Sequence, residues 1–103
     1  MAAIGIAGLT LFFAGGHEIY DVALRGSGAD YWVAPEQRLL EVAGRSSRRD
    51  VNAALSARWD RLMARVGSNF FVCVVEFETL TGHLNFAACA VVINFPPLLS
   101  RKI

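Results

Sequence analysis

His17, Glu18 and Asp21 stand within five residues of one another just after Gly15-Gly16, and an imidazole beside two carboxylates can ligate a metal ion or act as a general base. On extended backbone His17 and Asp21 share a face and Glu18 opposes them. The second histidine, His83, follows Thr81-Gly82. It meets His17 only where two hairpins lie edge to edge with their turns aligned, and Glu76 or Glu78 would then complete the set. His17, Asp21 and His83 are therefore the candidate ligand or metal residues, weighed against a plainer reading as a polar strand end and a loop tip in water. No bound metal and no cofactor are expected.

Cys73 and Cys89 form no paired-cysteine metal spacing and have no basic neighbour in sequence, which predicts inert, buried thiols in a reducing compartment. The glycines make neither a dinucleotide fingerprint nor a P-loop, and Gly26-Ser27-Gly28 lacks the outer spacing of a nucleophile elbow. Catalysis is not the expectation. Arg58, Arg61 and Arg65 edge one side of a predicted helix and are the candidate contacts for an anionic partner. Seven arginines face four carboxylates between Glu36 and Arg65, but the whole chain carries only +1, which argues against nucleic acid. Arginine stems laid over an apolar stripe, with their heads in water, explain the same residues.

The elements that would position these groups follow from periodicity. Val51, Leu55, Trp59, Leu62 and Val66 recur at steps of three and four, which predicts a helix over 51–66 with Gly67 just past its end. Ser47 and Asp50 resemble a capping box before it. Pro35 and Glu36 suit a helix start, so a short helix is expected from there to Gly44. Residues 4–13 hold β-branched and aromatic side chains and two interior glycines, which favours a strand. Strands are also expected over 17–25 and 29–34. The clearest hairpin pairs 69–79 with 83–95, with Phe77 opposite Phe86 and Val75 opposite Ala88, because that register makes one face wholly apolar and gathers Glu76, Glu78 and Asn85 on the other. Cys73 and Cys89 then point to opposite faces.

The expected fold is a single α+β domain over 1–103: an antiparallel sheet of about five strands, ordered β-β-β-α-α-β-β, with two helices on one face. Apolar residues make up 54% of the 103, above the usual share for soluble domains, and the mean hydropathy is +0.41. A chain this short has limited core space, so part of that excess must reach a membrane, a partner chain or an enclosed pocket. The apolar runs are shorter than the roughly 20 residues a spanning helix needs, so membrane association is kept but not favoured. No basic stretch precedes the first run, and no signal peptide is expected. A cytoplasmic or virion-associated location follows.

Two helices on one face leave the other uncovered. The leading expectation is thus a non-enzymatic structural or protein–protein interaction module, a homo-oligomer or a subunit docking on a larger assembly such as a viral or phage component. The expected contact surface is Val72, Val74, Val91 and Ile93. The alternative is a small-molecule-binding protein or small enzyme with an apolar pocket, Tyr31, Trp32, Trp59 and His17 near its mouth.

Overall fold

The structure is a computed structural model that describes residues 2–22, 31–35, 38–67, 69–86 and 89–95. Along the chain run α1 (Ala2–Gly15), β1 (Glu18–Val22), β2 (Tyr31–Ala34), β3 (Arg38–Arg45), a 3-10 turn (Arg48–Asp50), α2 (Val51–Arg65), β4 (Phe70–Glu76), β5 (Thr81–Phe86) and β6 (Cys89–Asn94). The six strands form one sheet in sequence order. Every neighbouring pair is antiparallel except β3 and β4, which run parallel and are joined by the α2 crossover.

Side chains alternate across a strand, and in β3 and β4 both sets are apolar, so both sides of the sheet centre need cover. Phe70, Val72 and Val74 with Leu39 and Ala43 meet Val51, Ala54, Leu55 and Leu62 of α2 on one side. On the other side Phe71, Cys73, Val75, Leu40 and Leu84 meet Ala7 and Leu11 of α1. The two helices therefore lie on opposite faces. Helix α1 reaches β1, β3, β4, β5 and β6, so it lies across nearly the whole breadth of its face. Gly82 lets it come close. A methyl group at that position would stand 2.8 Å from both Cβ and Cγ2 of Thr10.

The fold is α+β as expected, but the sheet is mixed and six-stranded, and the order of elements differs. Residues 4–13 are helical rather than extended. Alanine and leucine supply helix propensity there, and burial of one side offsets the cost of Gly5 and Gly8. Gly16, with φ of +73°, ends the helix as its amide donates to the Phe12 carbonyl at 2.7 Å. The helix expected between Pro35 and Gly44 is the central strand β3, since burial on both faces outweighs the propensity of Leu39-Leu40-Glu41. Pro35 instead follows β2 through a cis bond.

Helix α2 matches its periodicity. Val51, Leu55 and Leu62 are buried, Trp59 and Val66 pack at the margin, and Gly67 has φ of +94°. Ser47 caps the preceding 3-10 turn by accepting from the Arg49 amide, and Asp50 makes no side-chain cap bond. The hairpin after it is three strands rather than two. Phe86 lies opposite Phe71 and Val75 opposite Gly82, so the expected register is wrong, and Ala88 lies outside the described residues. The cause is a turn over 77–80 with Leu80 at φ of +53°, stabilised by the carboxylate of buried Glu76, which accepts from the amide and the hydroxyl of Thr79. A buried carboxylate survives where donors surround it.

Candidate functional site

The polar candidates are distributed over both faces. His17 leaves the end of α1 and lays its ring 5.0 Å from that of Phe71, on the α1 side. His83 lies opposite Val74 on β4 and Val92 on β6, which places it on the α2 side. The sheet separates the two histidines. Asp21 is exposed on β1 opposite Trp32, whose indole belongs to the α2-side core. Among the described residues no group of three or more His, Cys, Asp or Glu is placed to hold a metal ion.

Nε2 of His83 is buried without a hydrogen-bond partner among the described residues. Burial holds this imidazole below its usual range, with the Glu76 charge opposing. Its neighbours form a closed network: Thr79 and Thr81 share a hydroxyl contact of 2.8 Å, and the Asn94 amide donates to Thr81 Oγ1 at 2.7 Å. These bonds clamp the 77–80 turn to β6, a structural task. Burial likewise pushes the Cys73 thiol up to about 12, opposed by a side-chain hydrogen bond with Thr10. Cys89, expected to be buried, is exposed, and its pairing with Phe86 sets it on the same α1 side as Cys73 rather than on the opposite face; both cysteines are free.

Arg58 and Arg61 project from α2 onto Glu41 of β3, a buried carboxylate in an otherwise apolar stretch. The ion pairs tie the helix to the sheet, so two of the three arginines are engaged within the fold. Arg65 is exposed in the last turn of α2. Trp32 and Trp59 lie on the α2 side, with the Trp59 ring 4.6 Å from that of Phe70, whereas Tyr31 and His17 belong to the α1 side. The four do not converge on one pocket mouth.

Val72 and Val74 are fully buried beneath α2. Val91 and Ile93 lie half-buried on the α1 side, where Val91 packs against the core. The apolar excess emerges elsewhere. Among the described residues, three of the seven large apolar side chains left exposed belong to α1: Leu9 at 38%, Phe12 at 56% and Phe13 at 61%. This helix has no charged residue and no polar side, and a helix apolar all round is normally covered all round. Between Ile4, Gly5, Gly8 and Phe12 of α1 and Glu18 and Ile19 of β1 lies an open groove of about 500 Å³. Its only signal in the sequence is the apolar run at 2–15, which periodicity cannot resolve because no side is polar.

On a wheel of 100° per residue, Gly5, Leu9, Phe12 and Phe13 face away from Ala7 and Leu11, so one continuous apolar stripe runs along the outer side of the helix. At 1.5 Å per residue the 14-residue helix is about 21 Å long. No helix among the described residues is long and apolar enough to cross a membrane. The chain matches no protein-family model, no curated protein and no solved structure.

Proposed function

We propose that the chain is a non-enzymatic protein–protein interaction module that self-associates or docks on a larger assembly through the outer side of α1. The observation that carries this reading is the exposure of Leu9, Phe12 and Phe13 on a helix with no polar side. Their exposed fractions correspond to roughly 300 Å² of apolar surface, which at about 25 cal/mol per Å² leaves on the order of 7 kcal/mol to be gained by covering it. A patch of this size matches the largest one on a typical monomer, which is often a functional surface. The surface assigned here differs from the sheet face at Val72 and Val74 because that face is already covered by α2.

The test is light scattering coupled to size exclusion on the parent and a Phe12→Glu variant. Phe12 is exposed, so the charge should leave the circular dichroism spectrum unchanged. The expected result is a parent larger than 11.2 kDa and a variant at that mass. An assembly that survives the charge overturns the reading. The groove beside Gly5 and Gly8 favours a second reading, a small apolar ligand seated between α1 and β1. Saturable fluorescence enhancement of an apolar dye, competed by a fatty acid and lost in Gly8→Leu, would support it.

A further inference from the structure

We infer that the free edge of β6 pairs with β6 of a second copy, antiparallel about a two-fold axis at Val92, and that the C-terminal end of α1 reaches over the seam. This deepens the proposed self-association by naming the occupant and adding a second element to the contact. The Phe95 amide donates to the Leu80 carbonyl at 3.0 Å, so the hydrogen-bonded pairs of the β5–β6 ladder are Leu80 with Phe95, Gly82 with Ile93 and Leu84 with Val91. Ala90, Val92 and Asn94 therefore aim their amides and carbonyls outward, where among the described residues no strand meets them. Such a row of donors and acceptors fits one kind of occupant, an extended segment.

The two edges of the sheet are unlike. Strand β1 carries Glu18 and Asp21, and its register shifts between Ile19 and Asp21, both devices that keep an edge from being extended. Strand β6 has no charge and an unbroken register. Its sequence also matches itself. About Val92, Ala90 lies opposite the second copy's Asn94, Val91 opposite its Ile93 and Cys89 opposite its Phe95, so no like charges meet and β-branched side chains face one another. The axis stands perpendicular to the sheet, so both α1 helices lie on one face of the joined sheet.

Helix α1 points at this seam. From Ala3 beside Gly44 of β3 to Thr10 on Gly82 of β5 it advances about 10 Å, the width of two strand spacings, so it crosses the strands nearly at right angles. The same direction brings Phe13 to Phe95 at the end of β6, with the rings 6.3 Å apart. Phe13 is exposed there because the sheet ends. In the pair, the second copy's Cys89 stands next to Phe95 on the α1 side, and two side chains left open in one copy, Phe13 and Cys89, cover each other.

The test is sedimentation equilibrium of the full chain from micromolar to millimolar concentration, with circular dichroism as the folding control. Val92 is 60% exposed, and Val92→Lys sets two ammonium groups across the axis. It should weaken the dimer about 10-fold or more and leave the spectrum unchanged. In a Cys89→Ser background, Val92→Cys should link two copies under a mild oxidant, since a hydrogen-bonded pair on the axis has its Cα atoms about 5.5 Å apart. The parent should not cross-link, because the pairing holds the two copies of Cys89 about 20 Å apart. A dimer unmoved by Val92→Lys, a Val92→Cys dimer that does not link, or a parent at 11.2 kDa throughout, which would leave the edge to a strand of another protein, overturns the pairing. If Phe12→Glu abolishes assembly and Val92→Lys does not, the α1 surface stands and the strand pairing falls. If Val92→Lys dissociates a dimer that survives Phe12→Glu, the strand pairing stands and the α1 surface falls.

Discussion

Replacing Gly82 with alanine should separate α1 from the sheet. The added methyl would lie 2.8 Å from Thr10 Cβ and Cγ2 and closer still to Oγ1, so no rotamer of Thr10 clears it and the helix must lift. Thr10 is fully buried, and its hydroxyl donates to the Ile6 carbonyl at 2.8 Å, which fixes it further. Overpacking of this kind costs about 1–3 kcal/mol, or roughly 5–20 °C in melting temperature for a domain of this size. The assay is a double-mutant cycle read by urea unfolding of the parent, Gly82→Ala, Thr10→Ala and the double variant. Thr10→Ala removes two of the three clashing atoms, so the double variant should be more stable than the sum of the single effects predicts, by about 1 kcal/mol or more. Effects that add within about 0.5 kcal/mol would mean that Thr10 does not sit on Gly82, and the position of α1 would be wrong.

The pairing of Glu41 with Arg58 and Arg61 predicts an asymmetry. Removing both arginines as alanines strands a buried carboxylate and should cost about 3 kcal/mol, whereas Glu41→Leu should cost about 1 kcal/mol or less, because Arg61 can return to water. Equal losses in denaturant titrations would contradict the burial assigned to Glu41. His83 has its folded pKa held below the usual 6.5, so the unfolded chain binds the proton more readily and stability falls as pH drops below that value. His83→Phe should flatten this loss between pH 7.5 and 5.5. A variant that loses as much stability as the parent would show that His83 does not govern the slope. A thiol reagent at pH 8 should modify Cys89 at once and Cys73 only on unfolding, since Cys73 is fully buried with its pKa near 12. Two fast equivalents in the native chain would contradict the packing of α1 on β4.

What could be read before the structure depended on whether an element has two unlike sides. Helix α2 has one apolar side and one charged, so Val51, Leu55 and Leu62 declared both its period and its buried face. Helix α1 has no such contrast, and its Gly5, Gly8, Phe12 and Phe13 read as a strand when only propensity is weighed. Strand β3 failed in the converse way. Its two sides are both apolar because α1 and α2 cover one each, so the alternation that marks a half-exposed strand is missing. The hairpin register went astray on Glu76, which pattern alone assigns to water and which the amide and hydroxyl of Thr79 hold in the interior. These errors compound at the surface. With residues 4–13 taken as a strand, one sheet face stayed open and Val72 and Val74 became the candidate interface, whereas a helix on each side moves the uncovered apolar area onto α1 itself. Gly82 carried the one sequence hint, since a glycine inside a strand marks close approach by another element.

The central claim is that the outer side of α1 is the surface that meets a partner. A dilution series followed by two-dimensional NMR of the full chain tests it residue by residue, because the resonances at a contact shift with concentration while the rest stay still. The account predicts that the concentration-dependent shifts cluster at Ile4, Gly5, Gly8, Leu9, Phe12 and Phe13. Shifts confined to β6 or to the outer side of α2, with α1 unchanged, would contradict it.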